Sequence, residues 1–216
     1  AARALRGLMA NTAQPTATSA VPAPAPNLQV PILTSTALVQ NFNPFAPANQ
    51  IYARGTVYEP LYVVDKSEGG KEIPWLATDY AWSDDLLTLT FTLRDGVTWS
   101  DGEAFTADDV VYTYELGKSD PGLDASGFWS TLGGTGVTAN GNQVSFTFAT
   151  ADVSRFPQFA NTSYIVPEHV LSAQSDIANW QNLEPVGTGP FTEVANFSPQ
   201  SYSLLKNPHY WNPDVV

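Results

Sequence analysis

The chain has 216 residues and a mass of 23.3 kDa, enough for one large domain or two small ones around a sizeable core. Hydrophobic residues make up 43% and charged residues 14%, which excludes a disordered chain, and 9 Lys+Arg against 21 Asp+Glu leave a net charge of −12 that repels nucleic acid and anionic lipid. With no cysteine, disulfide frameworks, thiolate nucleophiles and cysteine-ligated zinc or iron–sulfur sites are excluded.

Residues 1–27 end in PTATSAVPAPAPN, a Pro/Ala/Thr-rich stretch that stays extended and packs no core; it reads as a tether. No run of 18 apolar residues exists, and AARALRGLMANTAQ lacks the apolar centre of a signal peptide. LQVPILTSTALV (28–39) reads as one or two strands and NFNPFAPANQ (41–50) as a turn-rich loop. TVYEPLYVVD (56–65) is helix or strand, followed by a polar hairpin loop at 66–75. In LLTLTFTLRDG (86–96), Leu87, Leu89, Phe91 and Leu93 alternate with Thr88, Thr90, Thr92 and Arg94, the pattern of a strand with one buried face.

FTADDVVYTYELGK (105–118) predicts a helix with Thr106 as N-cap, Asp109 completing a capping box, and Gly117 with Lys118 closing it. VTANGNQVSFTFAT (137–150) predicts a hairpin in which Asn140-Gly141 supply positive φ and Val144, Phe146 and Phe148 share a face. Short helices are expected at 154–161 and 167–174, a loop entering a strand at 184–194, and a strand running into an aromatic loop at 201–213. The fold class is mixed α+β with much antiparallel sheet.

Catalytic chemistry finds little support. Asp84-Asp85, Asp101-Gly102 and Asp108-Asp109 have local roles before a strand, in a turn and at a helix start, and Glu59 and Glu103 prompt no function. His169 and His209 lie far apart with no metal-ligand spacing, so no metal and no cofactor are expected. No G-x-S-x-G elbow occurs, and the Gly187-Thr188-Gly189 turn is followed by Pro190 without the lysine of a phosphate loop. Six tryptophans near turns and element ends suit either a β-rich core or a surface that stacks on sugars or peptides.

The stretch PWLATDYAWSDDLLTLTFTLRDGVTWSDGEAFTADDVVYTYEL carries a proline-led P-x-L-A (Pro74 to Ala77), then W-S-D-D ending at Asp85. It continues through Phe91, Leu93, Arg94, Gly96, Val97 and Trp99 to Asp101-Gly102 and Phe105-Thr106-Ala107. With Asn43-Pro44, Tyr58-Glu59-x-Leu61, Val186 to Phe191 and Asn207 to Trp211, it resembles the family 5 extracellular solute-binding proteins of ABC importers over roughly residues 28–213.

The resemblance implies a type II periplasmic-binding-protein fold in which two lobes close over a ligand. Residues 28–43 and 157–216 would belong to the first lobe and 44–156 to its β-rich subdomain, with the second lobe absent from this chain. Weak or no ligand binding by this portion alone is then expected. Carried over as ligand-facing are Val39, Gln40 and Asn41 before the early N-P. The loop after the capped helix (Ser126, Gly127, Phe128, Trp129) and the Thr188-Gly189 turn are carried over with them.

The implied function is capture of short oligopeptides or β-linked oligosaccharides outside the cell by a monomer, and delivery to an ABC permease. No chemistry is performed on the ligand, and any lipid anchor would lie outside this chain. The alternative is a secreted carbohydrate-active enzyme or carbohydrate-binding module, which would need two carboxylates facing one cleft. A wall-interaction module is suggested by the tether alone.

Overall fold

The computed structural model describes residues 27–28, 37–46 and 54–215; residues 1–26 of the tether and most of the segment read as strand at 28–39 lie outside these, while Asn27, read as the tether's last residue, pairs with Leu205 in a strand. Among the described residues, nine strands and three α-helices follow one another. They are β1 (Asn27–Leu28), β2 (Tyr62–Asp65), β3 (Lys71–Pro74), β4 (Ala77–Trp82), β5 (Thr88–Leu93) and α1 (Ala107–Ser119). Then come β6 (Gly134–Asn140), β7 (Gln143–Phe148), α2 (Phe156–Thr162), α3 (Glu168–Leu171), β8 (Phe191–Ser198) and β9 (Ser201–Lys206). They form an antiparallel four-stranded sheet in the order β4-β5-β7-β6, the hairpin β2-β3, and a three-stranded sheet β1-β9-β8.

The alternation in β5 is realised: Leu89, Phe91 and Leu93 are buried while Thr88, Thr90 and Thr92 are not. On neighbouring β7, Val144, Phe146 and Phe148 are buried and meet the same core, with Phe91 edge-on to Phe146 at 5.8 Å. Each such side chain contributes about 1.5–3 kcal/mol of burial. α1 packs against β6 and β7, and α2 brings Phe156 and Phe159 into the same aromatic cluster. A second core gathers Phe42, Val57, Tyr58, Leu116, Val166, Leu171, Tyr202 and Leu204 beneath the three-stranded sheet.

Three local expectations are corrected, and one strand, β4, had no reading from the sequence. The β6–β7 turn is Gly141-Asn142, with Gly141 at φ 60 and Asn140 paired to Gln143, so only one positive φ is needed and Asn140 ends the strand. Residues 71–74, read as part of a loop, form β3 opposite β2. β4 lies at the sheet edge with Ala77, Tyr80 and Trp82 turned to the core, and the bulge between Ala77 and Asp79 breaks its alternation. Gly117 does not end α1, which runs to Ser119; a Cβ there would meet the Cα of Asp124 at 2.7 Å, so glycine permits the following loop to fold back against the helix.

The capping box forms as expected. The Asp109 carboxylate accepts from the Thr106 backbone N–H at 2.8 Å and the Thr106 hydroxyl at 3.2 Å. Its other oxygen accepts from the Glu168 N–H at 3.0 Å, tying the start of α1 to that of α3. Asp109→Ala is therefore expected to lower unfolding free energy by about 2 kcal/mol, whereas exposed Asp108→Ala changes it by less than about 1 kcal/mol. Urea denaturation of the two variants checks this contrast.

Candidate functional site

Two places in the fold gather polar side chains from distant parts of the chain. The first centres on Glu59, whose side chain is fully buried. Its Oε1 accepts from Trp75 Nε1 at 2.7 Å and the Tyr210 hydroxyl at 3.1 Å, and its Oε2 from Trp211 Nε1 at 2.9 Å. Thr188 lies beside the carboxylate and favours its charge, although no well-directed hydrogen bond reaches the Thr188 hydroxyl. Burial outweighs these donors and raises the carboxyl pKa above its ordinary value. A lone acid in Tyr-Glu-Pro-Leu thus joins three other sequence landmarks, which spacing along the chain could not reveal.

The second place is the segment 38–43. Leu38 N–H donates to Pro199 O at 2.8 Å and Phe42 N–H to Asn182 O at 3.0 Å. Asn43, immediately before Pro44, donates through Nδ2 to the carbonyls of Ile177 (2.5 Å) and Trp180 (3.0 Å) and accepts from Phe45 N–H at 3.0 Å. Asn182 Nδ2 in turn donates to the buried Tyr58 hydroxyl at 2.5 Å. The result is a clamped, uncharged edge. Val39 is 47% exposed on it, Leu183 is 44% exposed beside it, and the Gln40 amide donates to Leu183 O at 3.5 Å. Asn43 and Asn182 were missed as clamps; the Asn-Pro pair was the available signal for the first, since an asparagine there readily turns its side chain onto nearby backbone.

The remaining residues proposed from the sequence are placed differently. Asn41 is buried and accepts from Asn43 N–H at 2.9 Å. Phe128 is fully buried, edge-on to Tyr114, Phe146 and Phe148, so its ring is a core element rather than a surface for ligand. Trp129 is half-buried; its indole N–H donates to Tyr114 O at 2.7 Å and the Lys118 ammonium sits 4.9 Å from its ring centre. Ser126 is buried and its hydroxyl accepts from Phe128 N–H at 3.2 Å, while Gly127 turns with φ 70.

Thr188 and Gly189 are buried against residues 56–57. Gly189 N–H donates to Val57 O at 2.9 Å and Gly189 O accepts from Asn207 Nδ2 at 2.9 Å. That packing explains the glycines without a ligand. His169 Nε2 lies 2.8 Å from Asp101 Oδ2, and among the described residues no three acidic or histidine side chains gather around a metal position.

Residues 71–216 match the family Bacterial extracellular solute-binding proteins, family 5 Middle. The chain belongs to this family. This family 5 chain is 37% identical over 131 residues to Protein XP55 of Streptomyces lividans, covering 60% of this chain and 23% of that one. Its fold superposes on the mannohexaose-bound periplasmic oligopeptide-binding protein of Thermotoga maritima with a TM-score of 0.74 and 30% identity, over 82% of this chain and 32% of the other. The oligopeptide-binding protein AppA of Bacillus subtilis, in complex with a nonapeptide, aligns with a TM-score of 0.67 and 25% identity over 82% and 36%. The family 5 chain therefore spans about a quarter to a third of the length of the proteins it resembles.

Proposed function

We propose that this chain is part of an extracellular receptor that captures a short oligomer, peptide or β-linked oligosaccharide, between two lobes and delivers it to an ABC permease. Ligand favours the closed state and the closed state docks, so no bond of the ligand is broken and no enzyme activity is involved. Residues 28–43 with 157–216 serve as the first lobe and 44–156 as its β-rich subdomain. The receptor acts as a monomer outside the membrane, with any lipid anchor beyond this chain.

The observation that carries this reading is the uncharged edge held by Asn43 and Asn182, in a fold that superposes on an oligosaccharide-bound and a peptide-bound relative. Val39 supplies apolar contact, Gln40 a reorientable amide, and Asn41 the local turn that orients both; Leu183 extends the apolar rim. Trp129 offers the exposed part of its ring on the loop after α1, while Phe128, Thr188 and Gly189 act by fixing their loops.

The test is a thermal-shift screen of the full-length gene product against short peptides and β-linked oligosaccharides. Ligand at about 100 times its dissociation constant should stabilise by about 2.7 kcal/mol. Gln40→Ala should weaken the active ligand by about fivefold, the loss of one hydrogen bond of about 1 kcal/mol. Absence of a shift with both panels would overturn the reading.

A further inference from the structure

A cavity of about 470 Å³ opens between the β2–β3 hairpin, the end of β5 and the aromatic loop after β9. Trp75, Arg94 and Trp211 form its walls, with Asp95 and Asn212 at the rim. None of its lining residues belongs to the 38–43 edge or to Leu183. We propose that this cavity is a second ligand site, for a compact molecule with one carboxylate and an apolar body, of the size of a free amino acid.

The walls are rigid before anything binds. Both indole N–H groups donate inward to Glu59, at 2.7 and 2.9 Å, so the polar edges of the two rings face the core and carbon faces the cavity. The rings meet edge to face at 5.4 Å and 88°. Arg94 is fixed at two points: its Nε donates to Trp75 O at 2.8 Å, and its guanidinium carbon lies 4.3 Å from the Trp211 ring centre.

These two contacts leave both terminal amino groups of the guanidinium without an ion pair or hydrogen bond among the described residues. A planar fork of N–H donors fits the two oxygens of a carboxylate. Because the side chain is already immobilised, little rotamer entropy remains to be lost on binding. A chain of net charge −12 does not gather anions by its overall field, so a fixed cation beside an apolar wall selects locally. Asp95 next to Arg94 repels dianions such as phosphate and is placed to meet an ammonium group. An aliphatic side chain would lie on the indole carbons, and the volume lies within the range of small-molecule pockets.

Tryptophan fluorescence of the chain, titrated with three probes, tests the site. L-Leucine and 4-methylpentanoate carry the carboxylate; leucinamide carries the ammonium and the same apolar body without it. The first two should give saturable changes in the millimolar range, and leucinamide should bind at least about tenfold more weakly. Arg94→Gln should remove the response to both carboxylates. Asn212→Asp, which adds a negative charge at the rim without touching the core, should weaken both several-fold at low salt and less at high salt. A response to leucinamide equal to that of leucine would overturn the proposal, as would no saturable change with either carboxylate. So would an unchanged response in a folded Arg94→Gln or in Asn212→Asp.

Discussion

Glu59→Ala should unfold at a stability about 3 kcal/mol below the native chain, because it leaves the Trp75, Trp211 and Tyr210 donors without an acceptor and opens a cavity among them. Glu59→Gln is the sharper test. Its single oxygen takes the Oε1 position, where two donors converge, and its amide nitrogen then faces Trp211 Nε1. One donor loses its partner, at a cost of about 1–3 kcal/mol.

The pH dependence carries a definite sign. Burial raises the folded-state pKa of Glu59 above the ordinary 4.5, so the folded chain holds this proton more tightly than the unfolded one. The associated stability is complete below the unfolded value and is lost as pH rises through the raised folded value. The advantage of native over Glu59→Gln in chemical denaturation should therefore shrink from acidic to neutral pH. An advantage that grows with pH would mean that the three donors outweigh desolvation. Using the difference between the two proteins cancels Asp65, Asp85 and Asp152, whose hydrogen-bonded carboxyls shift downward and lose their contribution as pH falls.

The second large effect is steric. A Cβ on Gly187 would stand 2.0 Å from Val57 O, and one on Gly189 would stand 2.2 Å from Thr56 O. Neither carbonyl can move freely, since Val57 O accepts from Gly189 N–H and Thr56 O from Phe191 N–H. Gly187→Ala and Gly189→Ala should each cost about 3 kcal/mol or more, mostly by breaking this junction between residues 56–57 and the start of β8. Gly141→Ala is the control: its φ of 60 is unfavourable for alanine, but no atom lies within 4 Å, so about 1 kcal/mol is expected. Equal losses at Gly141 and Gly189 in urea denaturation would refute close backbone approach as the cause.

Where an element carries its own period or cap, residues near one another in the chain were enough to read it. The Leu/Thr alternation of β5 and the Thr106–Asp109 box of α1 are contacts across a few residues and both appear, and the β6–β7 hairpin forms with its turn one residue further on. β4 escaped because its alternation is short and broken by a bulge after Ala77, and Gly117 misled because a glycine near a helix end serves close packing as well as it serves a cap.

The sites were less legible. Asn43 and Glu59 occur in recognisable landmarks, but their partners lie more than 130 residues away for Asn43, at Ile177 and Trp180, and up to 152 away for Glu59, at Trp211. Phe128 and Trp129 are adjacent aromatics with equal claim to a surface role, and only packing separates a fully buried ring from a half-buried one.

By itself, the sequence determined the family, the mixed α+β class and the elements whose signals are local, because periodicity, caps and ordered landmarks are all written along the chain. The tertiary structure decided which polar groups meet. It turned a lone acid into the acceptor for two indoles and a phenol, and an Asn-Pro pair into the clamp of an uncharged edge. It also turned an arginine of a strand end into a fixed guanidinium beside a cavity. The physical reason is that desolvation and hydrogen-bond direction depend on what lies within a few ångströms in space, and that neighbourhood exists only once the chain has folded.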